Sequence, residues 1–171
     1  MLPELQLPAV VSTRVGAVGV RRATASDLPA LMALLSDDPI SAARGDRGDD
    51  GDTEVYADAL RSVLDAPLNE LLVVDDADGA VVGTLQLTVI PGMARRGATR
   101  LLVEAVRVSS TVRSGGIGSA VMRWVMHEAA PAMGAALVQL TSDAARVDAH
   151  RFYTRLGFAD SHIGFKYSVG S

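Results

Sequence analysis

The sequence contains no cysteine, few aromatic residues and no long apolar segment. Cysteine is absent from all 171 residues, which excludes disulfide bonds, thiolate metal sites and a cysteine nucleophile. No apolar run approaches the roughly 20 residues that cross a bilayer, so we expect no membrane partner. The formal net charge of −4 argues against nucleic acid as the main partner. The lack of cysteine fits a reducing compartment, and we expect a cytoplasmic protein.

The bulk composition is typical of one globular domain. Hydrophobic residues make up 49% of the chain and charged residues 21%, and the length is sufficient to bury a substantial core. The start of the chain lacks the basic region of a signal peptide. We therefore expect residues 1–16 to form a loosely ordered extension and residues 17–171 to form a single domain.

The spacing of apolar residues predicts the order of helices and strands. A short strand and two helices are predicted over residues 18–66, interrupted by a surface loop at 41–52 that is crowded with glycine and aspartate. A meander of three strands follows, then a helix, a strand, a helix and a last strand over 158–169. This order predicts an α+β fold with a mixed, mostly antiparallel sheet and helices on both faces.

A glycine-rich stretch, VRSGGIGSA at residues 112–120, leads from the last strand of the meander into a helix. A helix N-terminus offers unsatisfied N–H groups to a phosphate, and glycine lets the backbone approach it closely. Arg113 adds a positive charge. The lysine of a P-loop is missing, and Val121 occupies the third small position of a dinucleotide fingerprint. The residues alone therefore predict an anion site of open identity, with a purely structural turn as the alternative.

Three segments resemble the GNAT superfamily of N-acetyltransferases. Residues 106–122 are similar to its motif A, with Arg113, Gly116 and Gly118 at the fixed positions of Q/R-x-x-G-x-G/A. Residues 20–35 resemble its first strand and helix. Residues 140–158 resemble its fifth strand and last core helix, including the ending F-Y-x-x-x-G-F. The resemblance covers roughly residues 17–168 and implies a GNAT-like fold.

The resemblance also implies that the anion is the pyrophosphate of coenzyme A and that acetyl-CoA is the cofactor. The strand before the loop would bind the pantetheine arm through its backbone, where it splays from the strand at 136–141. Arg146 stands where family members often carry an asparagine, and an arginine there can reach a phosphate. The implied cofactor-binding residues are Val106, Arg107, Val108, Arg113, Ser114, Gly115, Gly116, Ile117, Gly118, Ser119 and Arg146.

Two residues are candidates for catalysis. An amine must lose a proton before it attacks, which requires a base. We predict that Glu104 shares one strand face with Leu102, Val106 and Val108, where desolvation would raise the carboxyl pKa. A glutamate that pairs with an arginine or binds the substrate amine is the alternative. The resemblance makes Tyr153 the general acid and the Val106 N–H the oxyanion donor; Tyr153 as a core aromatic is the alternative.

The predicted activity is transfer of an acetyl group from acetyl-CoA to a primary amine. Without cysteine, direct transfer in a ternary complex is expected. No histidine spacing indicates a metal site. Residues 148–167 resemble the ends of members that acetylate small molecules, aminoalkylphosphonate acetyltransferases among them. We therefore predict a small-molecule amine. The alternatives are a protein N-terminus or lysine as acceptor, or a catalytically silent acyl-CoA-binding sensor module; the resemblance leaves a homodimer open.

Overall fold

A mixed sheet organises the chain in the computed structural model, which describes residues 5–45 and 48–170. Its strand order follows the sequence, from β1 at one edge to β6 at the other. The strands are β1 Ala9–Thr13, β2 Gly16–Arg22, β3 Asn69–Asp75, β4 Val81–Ile90, β5 Arg100–Val108 and β6 Leu137–Leu140.

The described residues also form helices. They are α1 Leu28–Ser36, α2 Pro39–Ala43, α3 Thr53–Leu64, α4 Ala94–Gly97, α5 Ile117–Trp124, α6 Ala130–Ala132 and α7 Val147–Arg155. A π-helical turn at Val125–Ala129 joins α5 to α6. The helix α1 contacts β4 and β5, α3 contacts β3, and α5 contacts β1 and β5. The predicted α+β fold is confirmed.

The strand directions make the sheet mostly antiparallel. Each neighbouring pair from β1 to β5 is antiparallel. The N–H of Ala136 donates to the carbonyl of Thr99 at 2.8 Å. These residues immediately precede β6 and β5, so the two neighbouring strands start at the same end and run parallel. The predicted splay between β5 and β6 therefore does not extend to their starts.

The predicted periodicities correspond to buried faces. In β4, Leu85, Leu87 and Val89 are buried, whereas Gln86 and Thr88 are only half-buried. The period of two therefore places one face of the hairpin in the core, as predicted.

The helix after the glycine loop buries the stripe that its spacing predicted. The side chains of this stripe are Ile117, Val121, Trp124, Val125 and Ala129, and each is at most 5% exposed. Burial of this stripe fixes the rotation and position of the helix, and therefore the direction of its N-terminus.

Two predicted loop regions contain regular structure. The predicted extension 1–16 includes β1, which pairs with β2 and buries Val11; residues 1–4 lie outside the described residues. The predicted loop 41–52 begins inside α2, because the carboxylate of Asp38 caps that helix by accepting from the Ser41 N–H at 2.7 Å. Residues 46 and 47 of this loop also lie outside the described residues.

The chain divides into two compact units, residues 1–139 and 140–171. In the second unit α7 ends at Arg155 with Leu156 as its C-cap residue, and the next residue, Gly157, has the left-handed φ of +98° that is expected after a helix. The predicted last strand is absent: residues 158–170 have no regular structure, and Phe165 and Tyr167 are about 90% exposed. Alternating apolar residues favour a strand, but a strand needs a hydrogen-bonded neighbour.

Candidate functional site

The glycine loop forms the start of a well-anchored helix. A 3-10 turn, Ser110–Gly115, follows β5 and ends at Gly116, whose φ of +75° is left-handed. Gly116 is the N-cap residue of α5, and no side chain of the described residues caps this helix. The N–H groups of the first turn therefore have no acceptor within the helix. They form a site of positive potential that suits a phosphate group.

A bulge interrupts β5 before it reaches the loop. The pairing with β4 passes from Gln86 opposite Glu104 to Thr84 opposite Arg107, so β5 carries one extra residue. Residues 105 and 106 have no register partner on β4, and Ala105 adopts a left-handed φ of +50°. The backbone of Val106 is thus released from the ladder at the position where the resemblance implies an oxyanion donor.

The bulge also changes which side chains share a face. Gln86 and Thr84 lie on one face of β4, so their partners Glu104 and Arg107 lie on that face as well. Val106 and Val108 flank Arg107 and point to the opposite face. The prediction that Glu104 shares a face with Val106 and Val108 is wrong, because the extra residue reverses the alternation.

Glu104 is exposed rather than partly desolvated, which is a second correction. Its carboxylate accepts no hydrogen bond and forms no ion pair with any residue in 5–45 and 48–170, so the alternative of an arginine partner is not observed there. Opposite it, Gln86 donates from Nε2 to Asn69 Oδ1 at 2.7 Å, and Thr88 Oγ1 donates to the same atom at 2.7 Å. Glu104 therefore extends from a polar patch on the sheet.

Arg107 is held by the protein itself. Its Nη1 donates to the carbonyl of Val106 at 2.9 Å, and its Nη2 donates to Ser41 Oγ at 2.7 Å. Ser41 is only 3% exposed. The side chain of Arg107 therefore links the bulge to α2, while a carbonyl oxygen such as that of Val106 keeps a second lone pair for a ligand.

Arg113 faces the end of α1. Its Nε donates to the carbonyl of Val108 at 3.2 Å, and its Nη2 lies 3.8 Å from Asp37 Oδ2. The backbone N–H and the hydroxyl of Ser110 also donate to the Asp37 carboxylate, at 2.7 and 2.9 Å. The backbone hydrogen bond from Ser110 is the main cause that lowers the pKa of Asp37. These contacts fasten the loop to α1, a role that the sequence did not reveal.

Tyr153 and Arg146 belong to the second unit. Tyr153 is half-buried, and its ring makes edge-to-face contacts with Phe152 and Phe158 at centroid distances of 5.0 and 5.7 Å. Arg146 is the N-cap residue of α7, and its backbone N–H donates to the carbonyl of Asp143 at 2.9 Å. Their roles in catalysis and cofactor binding remain predictions.

The β1–β2 turn contributes two residues that the sequence analysis did not connect with the site. A Cβ on Gly115 would lie 2.7 Å from Val15 Cγ2, and a Cβ on Gly116 would lie 3.3 Å from Arg14 Cγ. Packing against Val15 therefore requires glycine at position 115, independently of any ligand that the loop binds. The motif Thr13–Gly16 between two apolar runs was the available signal for this hairpin.

No group of three or more histidine or acidic side chains within residues 5–45 and 48–170 has the geometry of a metal site. Among the helices described, none is long and apolar enough to span a membrane.

Solved structures of known proteins share this fold. A protein from Bacillus halodurans described as a transcriptional regulator is 37% identical with a TM-score of 0.82, and the match covers 89% of this chain and 99% of that chain. Glucosamine-6-phosphate N-acetyltransferase from Arabidopsis thaliana is 18% identical with a TM-score of 0.68, and the match covers 90% and 99% of the two chains. The second likeness shows the fold alone.

A curated relative is similar over a shorter segment. The aminoalkylphosphonate N-acetyltransferase of Salmonella typhimurium is 40% identical over 63 residues, which are 37% of this chain and 40% of that protein. The matched segment thus spans less than half of that relative.

The fold and the loop define an α+β protein with a glycine-rich helix start. The profile of the acetyltransferase (GNAT) family matches residues 28–158. The chain therefore belongs to the acetyltransferase (GNAT) family, and the resemblance seen in the sequence is confirmed. The enzyme class predicted from the sequence is confirmed at the level of this family.

Proposed function

We propose that the protein transfers an acetyl group from acetyl-CoA directly to a small primary amine. The observation that carries this proposal is the arrangement on β5. Three features follow one another along a single strand and its exit: the exposed carboxylate of Glu104, which has no partner within residues 5–45 and 48–170, the bulge at Val106 and the glycine loop before α5.

The residues of the loop fit the nucleotide end of coenzyme A. The first turn of α5 presents N–H groups that no side chain of the described residues caps. Gly116, with its left-handed φ, turns the backbone from the 3-10 turn into this helix. The residues that would hold the diphosphate are Arg113, Ser114, Gly115, Gly116, Ile117, Gly118 and Ser119. The backbone of β5 from Val106 to Val108 would hold the pantetheine arm.

Acetyl-CoA supplies the acetyl group as a thioester when it is bound. Glu104 takes the proton from the incoming ammonium group, directly or through a water molecule, which its exposure permits. The Val106 N–H, outside the ladder to β4, donates to the oxygen on which negative charge develops. Tyr153 holds a proton for the departing sulfur, since a phenol is protonated at neutral pH.

The acceptor that we propose is a small amine rather than a protein. The Salmonella typhimurium relative is an aminoalkylphosphonate N-acetyltransferase, which supports a small acceptor in this chain as well. A protein N-terminus or lysine is the rival acceptor. A regulatory role, as in the description of the Bacillus halodurans neighbour, is the rival from another class, and the net charge of −4 disfavours DNA as its ligand.

An amine panel tests this proposal. Acetyl-CoA is incubated with aminoalkylphosphonates, amino sugars, polyamines and a peptide that has a free N-terminus and a lysine, and both thiol release and acetylated product are measured. The parent is compared with Tyr153→Phe and with the matched control Tyr167→Phe, whose ring is exposed. We expect a small amine to be acetylated and kcat to fall by about 100-fold or more only in Tyr153→Phe.

The same panel separates the rivals. Acetylation of the peptide alone would identify a protein acetyltransferase. If the parent binds acetyl-CoA and acetylates no amine, and Tyr153→Phe changes neither result, the protein is a binding module and the proposed reaction is wrong.

A further inference from the structure

The turn between β1 and β2 packs directly against the glycine loop. The Arg14 side chain runs along Gly116, with Cγ, Nε and Cδ at 3.3, 3.4 and 3.5 Å from the position that a Cβ would take there. Val15 packs against Gly115 in the same way, its Cγ2 at 2.7 Å from such a Cβ. The guanidinium of Arg14 is thereby placed beside the N-cap residue of α5.

The base of the Arg14 side chain is held rigidly. Thr13 Oγ1 donates to the carbonyl of Gly16 at 2.6 Å and accepts from the N–H of Val15 at 3.2 Å. Thr13 and Gly16 are also partners in the β1–β2 ladder. Both the turn and the loop are part of the first compact unit, so the position of Arg14 does not depend on a flexible terminus.

The charge of Arg14 has no partner within residues 5–45 and 48–170. Its side chain is exposed and forms no hydrogen bond or ion pair there. By contrast, Arg113 donates to Val108 and lies 3.8 Å from the Asp37 carboxylate. A cation beside a helix N-terminus faces the positive end of the helix dipole, which is unfavourable unless an anion lies between them.

We propose that Arg14 is a phosphate-binding residue that contacts the diphosphate of coenzyme A from the β1–β2 turn. The inference rests on the proposed function, since it requires coenzyme A on the glycine loop. The loop N–H groups bind the diphosphate from the helix side, and the planar guanidinium of Arg14 binds it from the turn with two parallel N–H donors. Arg113, besides its proposed contact with the diphosphate, holds the loop against α1.

The test measures binding and needs no turnover. Coenzyme A and 3′-dephospho-coenzyme A are titrated by calorimetry into the parent, Arg14→Ala and Arg14→Lys. Arg123→Ala is the matched control, because Arg123 is an exposed arginine in the last turn of the same helix. Thermal unfolding of each variant checks that the fold is kept.

We expect Arg14→Ala to weaken both ligands by about tenfold and by the same factor, because both retain the diphosphate. Arg14→Lys should recover part of the loss, since lysine keeps the charge but not the fork of donors. The loss should shrink at high salt, and Arg123→Ala should bind like the parent.

Three results would overturn the inference. The first is unchanged or tighter binding by Arg14→Ala. The second is a loss of affinity for coenzyme A but not for 3′-dephospho-coenzyme A, which would place Arg14 on the 3′-phosphate. The third is an equal loss of affinity in Arg123→Ala. If the parent binds neither ligand, the cofactor assignment in the proposed function fails as well. If the parent binds both and Arg14→Ala does too, only the role of Arg14 is wrong.

Discussion

The carboxylate of Asp37 accepts two hydrogen bonds from Ser110, at 2.7 Å from the backbone N–H and 2.9 Å from the hydroxyl. These residues lie 73 positions apart in the sequence. The contact joins the end of α1 to the turn that leads into the glycine loop, and Arg113 adds its charge to the same carboxylate. The loop is therefore positioned both by β5, which it directly follows, and by α1, which comes much earlier in the sequence.

Removal of this contact should weaken cofactor binding more than stability. Asp37→Ala leaves the Ser110 N–H to water and loosens the turn, so we expect the acetyl-CoA Kd to rise several-fold with little change in Tm. Asp37→Asn keeps one acceptor oxygen and should fall between the parent and Asp37→Ala. A calorimetric titration that finds the same Kd for all three proteins would contradict this role.

The same contact should be insensitive to pH near neutrality. The hydrogen bond from the Ser110 N–H lowers the pKa of Asp37. The carboxylate is therefore ionised at any pH above the ordinary aspartate pKa of about 4. Its contribution is lost only as pH falls through the lowered value. The Kd ratio between Asp37→Ala and the parent should therefore stay constant from pH 6 to 8. A ratio that changes steadily across this range would show that another group governs the loop.

Glu104→Gln tests the proposed base. We expect kcat to fall by about 100-fold or more, because the amide cannot take a proton. The KM for acetyl-CoA should change little, since the loop and not Glu104 holds the nucleotide end. Glu54→Gln, an exposed glutamate on α3, is the matched control. Equal rates for the parent and Glu104→Gln would exclude a catalytic role.

The bulge at Ala105 can be tested through backbone strain. An alanine at a φ of +50° is strained by about 1 kcal/mol relative to glycine, which adopts this conformation freely. Ala105→Gly should therefore leave the free energy of unfolding within about 1 kcal/mol of the parent. Ala105→Val should lower it by about 2 kcal/mol and reduce kcat as the bulge rearranges. Urea unfolding of the two variants decides the point, and equal midpoints would contradict it.

The acid stability of the fold depends on Asp27. The bidentate hydrogen bonds from Arg21, at 2.8 and 2.9 Å, are the main cause that lowers the pKa of Asp27 to about 2. Since the pKa of Asp27 is lower in the folded protein, the pair with Arg21 stabilises the fold at pH values above the unfolded pKa of about 4. This stabilisation is lost as the pH falls towards 2.

Asp27→Asn measures that contribution. The unfolding free energy of the parent should exceed that of Asp27→Asn by about 2 kcal/mol at pH 7, and the difference should shrink as pH falls from 4 to 2. Urea unfolding at pH 7, 5 and 3 gives the comparison. A difference that is independent of pH would mean that packing and not the ion pair is responsible.

The sequence predicted those features of the fold that depend on residues close together in the chain. The alternation in β4, the buried stripe after the glycine loop and the helix end at Gly157 follow from side-chain period and glycine conformation. These features are enough to place the loop at the start of a buried helix. The family resemblance then supplied the ligand, which the residues of the loop alone left open.

Features set by distant partners were beyond the sequence. No glycine marks the left-handed position at Ala105, so the bulge and its reversal of the faces of β5 could not be predicted. The same holds for the bonds between Asp37 and Ser110, which depend on how α1 packs against β5. The prediction of a strand at residues 158–169 was wrong for a different reason. The alternating pattern is there, but no strand pairs with these residues in the part of the chain that is described.

Initial-rate kinetics with both substrates test the central claim, that acetyl-CoA on the glycine loop reacts directly with an amine beside Glu104. The rate is measured over a grid of acetyl-CoA and acceptor concentrations, and the acetylated product is quantified. We predict intersecting double-reciprocal lines and one free coenzyme A thiol for each acetylated amine. Parallel lines, or thiol release without an acetylated product, would contradict direct transfer in a ternary complex.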